Sequence, residues 1–355
     1  MQLVTIGQNQ AGQRLDKFLH KLLPQAGTGF LYKMLRKKNI TLNGKKAEGS
    51  ELLALGDQVR LYFAQDTYEK FAGHIVDDAG EYGTETLMAD GMADVKRQDA
   101  LMTQYRQAYL TFKDIHVVYE DDHILILDKP AGVLTQKAQP GDMSLNEWMI
   151  GYLLEHEDQF ERELESFRPS VCNRLDRNTS GLVLCGKSLP GLQYLSSCIK
   201  LRNVRKIYRT ICVGELSQET LVKGYLVKDP ERNKVHIIPE EDKAAEIETA
   251  YRPIKAGEDY TLLEVELITG KPHQIRAHLA SLGHPLLGDF KYGDPRINKI
   301  LKNKYGLQHQ LLHAFRVEFP RTDEPAGVLL SGKSITSPCP DLFIRIQEEL
   351  GLGIN

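Results

Sequence analysis

The sequence predicts an α+β protein made of two domains of unequal size. Near the N-terminus, two stretches have the apolar spacing of short helices and precede an Asn-Gly turn typical of hairpins. From Ile115 onwards the chain carries short apolar runs separated by polar turns, which is the pattern of strands. We therefore predict a small domain at residues 1–63, an acidic linker at residues 64–112 and a large domain at residues 113–355.

The first domain is predicted to contain a helix pair and a small sheet. Apolar residues at helical spacing define the two helices, with Leu15, Phe18, Leu19 and Leu22 in the first and, after a cap at Thr28, Leu31, Met34 and Leu35 in the second. A hairpin follows around Asn43-Gly44, and residues 59–63 are predicted to form a closing strand.

The charge of the chain is distributed unevenly. The net charge is −3, yet residues 1–62 hold ten basic and four acidic side chains, whereas residues 63–112 hold four basic and nine acidic ones. A basic module beside an acidic segment is typical of electrostatic anchoring to a polyanion through one end of a protein. The basic side chains concentrate at the end of the second helix and in the hairpin, at Arg36, Lys37, Lys38, Lys45 and Lys46. These five either contact nucleic acid or form a solvated surface.

The linker carries little that could form a core. It is acidic and contains four glycines, so its first half is predicted to be a connecting loop. In its second half, residues 94–109 have the apolar spacing of a helix, at Val95, Leu101, Tyr105 and Ala108.

The composition is that of a globular protein, because 41% of the 355 residues are hydrophobic and 26% are charged. The N-terminus has no long apolar stretch, so the sequence predicts neither a secretory signal nor a membrane span. The five cysteines are scattered without Cys-x-x-Cys spacing, which indicates reduced thiols and argues against a zinc site. We therefore expect a cytoplasmic protein without a membrane partner or a bound metal, and we expect it to be a monomer.

A candidate site lies at residues 168–188, RPSVCNRLDRNTSGLVLCGKS. Asp176 stands between Arg174 and Arg177, ahead of a polar turn and an apolar run that has the length of a buried strand. Nearby guanidinium groups favour the ionised form of a carboxylate, and an ionised carboxylate can act as nucleophile or base. The alternative is that Asp176 caps a turn and pairs with a surface arginine.

The string NRLDRNTSGLVL resembles the signature of the RluA-type pseudouridine synthases, which modify ribosomal RNA. In that family the catalytic aspartate lies in an Arg-Leu-Asp followed by Thr-Ser-Gly, so the resemblance assigns this role to Asp176. It also implies that Arg174 fills the space left by a flipped-out base. Family members usually carry His where this sequence has Asn173. The fold implied for the large domain is a mixed, mainly antiparallel curved sheet with flanking helices and a central active-site cleft.

Two further stretches extend the resemblance. A Lys-x-Tyr at the start of a strand puts a tyrosine ring over the target uracil in this family, and Tyr208 in RKIYRTICVGE matches that tyrosine. On its own, a tyrosine in a strand is more often part of a core. The Lys-Pro-x-Gly turn at residues 129–132 also belongs to the family pattern, and Lys129 is either a phosphate contact or a turn residue.

The third motif, TGKPHQIRAHLASLGHPLLGD, predicts a helix that is capped by Thr269 or Gly270 and ends at Gly283. In the family pattern Thr-Gly-Arg-x-His-Gln-Ile-Arg-x-His, the second arginine pairs with the catalytic aspartate. The resemblance therefore assigns that ion pair to Arg276, while Lys271 stands in place of the family's first arginine.

The two histidines of this motif, His273 and His278, do not form a metal site in the predicted helix. Residues five apart lie about 140° apart round a helix, so the two rings cannot share one ion. They are expected to be structural or to contact RNA.

Together these features imply an enzyme that isomerises specific uridines to pseudouridine, with large-subunit ribosomal RNA as the expected substrate and tRNA as the other possibility. The N-terminal helix pair and hairpin resemble the alpha-L type RNA-binding domain of a small-subunit ribosomal protein, which implies that the five basic residues contact RNA. No cofactor is expected, because substrate and product have the same atoms and the sequence lacks a glycine-rich phosphate loop. A non-catalytic ribosomal RNA-binding or ribosome assembly factor, and a hydrolase that uses Asp176, stay open as alternatives.

Overall fold

The computed structural model describes residues 2–7, 10–63, 67–68, 71, 99–158, 160–164, 167–229, 234–238 and 244–354. The chain divides into two compact units, each formed by several stretches of sequence. The first contains Met1–Phe112, Asn146–Ser170 and Gly186–Gln193, and the second contains Lys113–Leu145, Val171–Cys185 and Tyr194–Asn355. The division into an RNA-binding domain, a linker and a catalytic domain at residues 63 and 112 stays a prediction.

The first unit begins with a four-stranded sheet packed by two helices. In chain order its elements are β1 (Gln2–Thr5), α1 (Leu15–Leu22), α2 (Thr28–Arg36), β2 (Ile40–Leu42), β3 (Lys45–Lys46) and β4 (Gln58–Leu61), and the strand order is β1-β4-β2-β3. The predicted hairpin is confirmed, since Asn43 and Gly44 have φ values of 50° and 72° and Leu42 pairs with Lys45. The predicted helices are confirmed, and their apolar faces meet in one core that includes Leu15, Leu19, Leu31, Leu35 and Val59.

The remaining described part of this unit is mainly helical. Residues 99–111 form a helix that buries Tyr105 and Ala108, so the described part of the helix predicted at residues 94–109 is confirmed. Its first five residues, including Val95, lie outside the described ranges. Helices α3 (Leu145–His156) and α4 (Phe160–Glu163) follow along the chain, and α5 (Leu189–Lys200) begins in this unit and belongs to the second from Tyr194 onwards. The indole N–H of Trp148 donates to the carbonyl oxygen of Phe112 at 2.9 Å.

The second unit is organised around a large mixed sheet, which among the described residues has eleven strands. Its main path is β11-β10-β12-β13-β9-β14-β8-β6-β5, with β15 beside β14 and β7 beside β8. The strands are β5 (His116–Glu120), β6 (Ile124–Lys129), β7 (Ser170–Val171), β8 (Ser180–Gly186), β9 (Arg205–Val213), β10 (Thr220–Asp229), β11 (Lys234–Ile238), β12 (Ala245–Ala256), β13 (Tyr260–Leu267), β14 (Leu312–Glu318) and β15 (Ser334–Thr336). Antiparallel pairs predominate, and β8 and β14 run parallel. The predicted α+β class with a mixed, mainly antiparallel sheet is confirmed.

Strand β8 forms the buried centre of this unit, and every one of its residues is buried. Leu182 and Leu184 pack with Ile124 and Ile126 of β6 in one apolar cluster. At the start of β8, Gly181 has φ 109°, and a Cβ atom there would overlap the backbone of Ala314 on β14. Only glycine allows this approach, which fixes the strand that follows the Asp176 turn.

Helices α6 (Gln274–Ser281), α7 (Pro295–Tyr305) and α8 (Asp341–Glu349) complete the second unit. The prediction that α6 starts after Thr269 or Gly270 is wrong by about one turn. The side-chain oxygen of Gln274 accepts the Thr269 hydroxyl at 2.9 Å and the Lys271 amide at 3.1 Å, which closes a loop ahead of the helix. The predicted end is confirmed, since Gly283 follows α6 with φ 86°. No helix within the described ranges is long and apolar enough to span a membrane.

Candidate active site

Asp176 lies in the loop between β7 and β8, and its backbone is held from two sides. The Thr135 hydroxyl donates to the carbonyl oxygen of Leu175 at 2.9 Å and accepts the Leu175 amide at 3.1 Å. On the other side, the Thr179 amide donates to the Asp176 carbonyl at 3.0 Å, which closes the predicted turn. The Asp176 side chain is 24% exposed. Its carboxylate is therefore both accessible and fixed in position.

Arg276 of α6 connects Asp176 to a second carboxylate. Its Nη1 donates to Asp176 Oδ2 at 2.9 Å, while Nε and Nη2 donate to the two oxygens of Asp289 at 2.7 and 2.9 Å. The Asp289 side chain is fully buried. Two parallel hydrogen bonds fix the plane of a guanidinium group, so Asp289 orients the N–H that reaches Asp176.

Asp289 is held ionised by its surroundings. Burial alone would raise its pKa, but the hydrogen bonds and charge of Arg276 hold that pKa below its usual value. The backbone amides of Lys291 and Tyr292 donate to Asp289 at 2.9 and 3.1 Å and act in the same direction. The hydrogen bonds and negative charges of Asp289 and Asp176 raise the pKa of Arg276 against the opposing effect of its burial. The sequence analysis assigns no role to this carboxylate, although Gly288-Asp289 are the last two residues of the third motif.

Tyr208 of β9 lies close to Asp176. The tyrosine is 4% exposed, and both residues line a small cavity of about 50 Å³. Burial raises the pKa of the Tyr208 hydroxyl, and the negative charge of Asp176 raises it further. The phenol is therefore neutral near pH 7 and can donate or accept one proton.

His273 and Tyr292 form a polar pair beside the Asp176 carboxylate, and the sequence analysis assigns neither a catalytic role. His273 Nδ1 lies 3.0 Å from the Tyr292 hydroxyl, and its Nε2 lies 3.9 Å from Asp176 Oδ2. Burial lowers the pKa of His273, which favours the neutral ring. The Tyr292 hydroxyl also accepts the Val235 amide at 2.9 Å. The backbone of His273 is left-handed, with φ 54°, a conformation that residues other than glycine rarely adopt.

Lys129 is fully buried, and its ammonium group points into the protein. Its Nζ donates to the carbonyl oxygens of Pro130 and Val133 at 2.9 Å each and of Arg177 at 3.1 Å. Burial lowers the pKa of Lys129 to about 7, although the charges of Asp176 and Asp128 act to raise it. Three carbonyl groups match the three N–H donors of an ammonium group. This geometry favours the turn role over a phosphate contact, and it ties the Lys-Pro-x-Gly turn to the loop that carries Asp176.

The other residues singled out from the sequence occupy three different environments. Arg174 is exposed and lines the small cavity with Asp176 and Tyr208, and Lys271 lies at the same cavity. Asn173 is structural, since its side-chain oxygen accepts the Leu184 amide at 2.7 Å. The five basic residues predicted to contact RNA, Arg36, Lys37, Lys38, Lys45 and Lys46, are all exposed in the first unit.

His278 faces the interior, where its Nδ1 lies 3.0 Å from the Thr249 hydroxyl. This contact favours the structural role for His278. Within the part of the chain that the structure describes, no group of three or more His, Cys, Asp or Glu side chains could hold a metal ion.

A second and larger cavity, of about 440 Å³, adjoins the first. Asp176, His273 and Arg276 line both cavities, whereas Tyr208 lines only the small one. The larger cavity is otherwise lined by Arg177, Asn178, Lys234, Gly288, Phe290, Lys291, Gln308, His309 and Gln310. The accessible carboxylate of Asp176 thus lies where the small cavity, which Tyr208 lines, meets the larger cavity, which basic side chains line.

Comparison with known proteins shows which family the chain resembles. A family model described as RNA pseudouridylate synthase matches residues 123–281. A Vibrio vulnificus protein named ribosomal large subunit pseudouridine synthase C is 30% identical over 336 residues, covering 92% of each chain. A Nitrosomonas europaea protein named ribosomal large subunit pseudouridine synthase D is 28% identical over 342 residues, covering 95% of this chain and 84% of that protein.

Solved structures show the same fold. The structure of human RNA pseudouridylate synthase domain containing 4 matches with a TM-score of 0.56 at 20% identity, covering 71% of this chain and 98% of that one. Human RNA pseudouridylate synthase domain containing 1 matches with a TM-score of 0.50 at 19% identity, covering 67% of this chain and 88% of that one.

Proposed function

The chain belongs to the RNA pseudouridylate synthase family, and from that premise we propose that it isomerises uridine to pseudouridine in large-subunit ribosomal RNA with Asp176 as the reactive carboxylate. The observation that carries the proposal is the contact between Asp176 and Arg276, made at a cavity that Tyr208 also lines. The choice of RNA rests on the names of the relatives, two of which are ribosomal large subunit pseudouridine synthases.

The reaction breaks the bond between uracil N1 and ribose C1′ and forms a bond from C1′ to uracil C5. The C5 proton then leaves, and N1 gains a proton, so substrate and product have the same composition. In this proposal the Asp176 carboxylate attacks the ribose or the base, or takes a ribose proton. Each of these steps requires an ionised carboxylate next to the reacting nucleoside.

Arg276 supports this carboxylate in two ways. Its Nη1 donates to Asp176 Oδ2 at 2.9 Å and fixes the position of the carboxylate, and the two hydrogen bonds that Arg276 donates to Asp289 prevent the guanidinium group from turning away. Because Arg276 is oriented before substrate arrives, little reorganisation is needed during the reaction.

Tyr208 and Arg174 act on the base. The Tyr208 ring provides a surface for the detached uracil, and its neutral hydroxyl can accept or relay the C5 proton. A base within folded RNA must first be flipped out, at a cost of a few kcal/mol. Arg174, exposed at the same cavity, takes the place that the base leaves.

The exposed basic residues of the first unit anchor the RNA. Arg36, Lys37, Lys38, Lys45 and Lys46 lie on the last turn of α2, in the turn after it and on β3, where they contact phosphates without reading sequence.

The test is release of tritium. The purified protein is incubated with large-subunit ribosomal RNA, transcribed in vitro and labelled with tritium on uracil C5. A pseudouridine synthase releases tritium to water and leaves the RNA chain intact. A non-catalytic RNA-binding or assembly factor binds the RNA without release, and a hydrolase releases free uracil or cuts the chain. Either of these results contradicts the proposal.

A further inference from the structure

The two cavities beside Asp176 differ in what they can accept. The target uracil must lie against Tyr208, and this residue lines the small cavity but not the larger one. The ribose of the same nucleotide must reach Asp176, which lines both. The ribose therefore lies where the two cavities meet, and the RNA strand that continues from the ribose enters the larger cavity. A volume of about 440 Å³ lies within the usual range of ligand pockets, roughly 300–1,000 Å³.

The larger cavity combines positive charge with an exposed aromatic ring. Lys234 and Lys291 line it, and both ammonium groups lie within 6.0 Å of the Tyr292 ring. Burial lowers the pKa of Lys291, and the positive charges of Arg276 and Lys234 act in the same direction, against the carboxylates of Asp176 and Asp289, which act to raise it. A bound phosphate would offset this repulsion between like charges.

Phe290 is the aromatic residue of this cavity, and its side chain is 55% exposed. Its backbone is held on both sides, because Asp289 is fixed by Arg276 and accepts the amides of Lys291 and Tyr292. Nucleic acid bases stack on aromatic rings that a protein exposes to solvent.

We infer that the larger cavity receives the nucleotide that adjoins the isomerised uridine, with Phe290 stacking on its base and Lys234 and Lys291 binding the intervening phosphate. This inference rests on the proposed function and adds a second recognised position to it. Stacking on a ring tolerates every base, whereas a phosphate contact reads none, so the cavity requires an unpaired neighbouring nucleotide of any sequence.

The other reading of Phe290 is that it is one of the scattered apolar side chains found on every protein surface. Leu329 of the same unit is 57% exposed and lines neither cavity, so it provides a matched control for Phe290. Lys299 on α7 is exposed and also lines neither cavity, which makes it the control for the two lysines.

The test uses the full-length protein and a short segment of the ribosomal RNA with a single tritium-labelled uridine, from which the protein releases tritium. Two altered RNAs lack the base on its 5′ or its 3′ side but keep the sugar and phosphate. With wild-type protein, removing one of these bases should raise KM at least fivefold, which is the lower end of the effect of base–aromatic stacking. Phe290→Ala should raise KM on the intact RNA by a similar factor and should show no further loss on that abasic RNA. Phe290→Trp should restore both values, and Leu329→Ala should match wild type.

The phosphate contact has its own measurement. Lys234→Gln and Lys291→Gln should each lower the slope of log affinity against log salt by about 0.7, the value for a single strand. Lys299→Gln should leave the slope unchanged.

The outcomes separate the two proposals. If wild-type protein releases no tritium from ribosomal RNA, the proposed function fails and this inference fails with it. Stacking is excluded, while the proposed function stands, if tritium is released but Phe290→Ala keeps the wild-type KM. The same conclusion follows if Phe290→Ala and removal of the base raise KM independently and additively. An unchanged salt slope in both lysine variants excludes the phosphate contact.

Discussion

The buried carboxylate of Asp289 receives two N–H groups of Arg276, Nε at 2.7 Å and Nη2 at 2.9 Å. The third hydrogen bond of the guanidinium group goes to Asp176. Its direction thus depends on Asp289, a residue that lines neither cavity. We expect Asp289→Asn to release Arg276 from its orientation and to lower kcat by about 10- to 100-fold, as loss of a supporting contact does in other sites. The variant should also lose about 3 kcal/mol in the free energy of unfolding, because it breaks a buried ion pair. Tritium release and urea unfolding measure the two effects, and wild-type kcat would contradict the positioning role.

Asp176→Asn is expected to abolish tritium release while RNA affinity stays within about threefold of wild type, because the substitution removes the reactive charge but keeps the shape. Asp323 is an exposed carboxylate of the same unit, and Asp323→Asn provides the control. Activity of Asp176→Asn above about one per cent of wild type would show that the reaction does not need this carboxylate.

Tyr208→Phe should bind RNA normally and turn over much more slowly. The ring remains, so stacking is kept, but the hydroxyl that can take or relay the C5 proton is lost. Single-turnover tritium release with binding measured in parallel separates the two effects. Unchanged turnover would limit Tyr208 to stacking or to the core.

The basic residues of the first unit should determine much of the salt dependence of RNA binding. With Arg36, Lys37, Lys38, Lys45 and Lys46 all replaced by Gln, the slope of log affinity against log salt should fall by about 3.5, since each of the five lost phosphate contacts removes roughly 0.7. All five side chains are exposed, so the variant should fold. Turnover at saturating RNA should recover at low salt, and an unaltered slope would show that this surface binds something other than RNA.

His313 makes stability depend on pH. Its Nδ1 lies 2.9 Å from the Ser180 hydroxyl and its Nε2 lies 3.1 Å from the Ser337 carbonyl oxygen, a pattern that the neutral ring satisfies. Burial holds its pKa below the usual value of about 6.5. Below pH 6.5 the unfolded state therefore binds more protons than the folded state, and stability falls as the pH is lowered. Urea unfolding at pH 5.5 and 7.5 should show a smaller difference for His313→Gln than for wild type, and an equal difference would contradict this assignment.

The sequence predicts which two side chains form the ion pair of the site, but it does not predict the residues that hold them in place. Asp176 and Arg276 were paired from their motifs, and the structure brings their side chains within 2.9 Å. Asp289 could not be assigned, because its role depends on the fold placing it against Arg276, 13 residues earlier. The sequence allows two roles for Lys129, a phosphate contact or a turn residue. A lysine beside a turn does not show in the sequence whether its amine faces solvent or backbone carbonyls. The start of α6 was misplaced because side-chain hydrogen bonds of Gln274 close a loop where propensity alone allows a helix.

The contact between Gly181 and Ala314 limits which amino acids evolution can use at this position. Any side chain at residue 181 would push β8 and β14 apart and would also disfavour the backbone, which has φ 109°. The turn that ends at this glycine carries Asp176, so even an alanine would displace the carboxylate from Arg276 without removing a single reactive group. A natural allele with such a change would encode a protein with all its chemical groups and no activity, and a survey of mutational tolerance should find residue 181 as intolerant as residue 176.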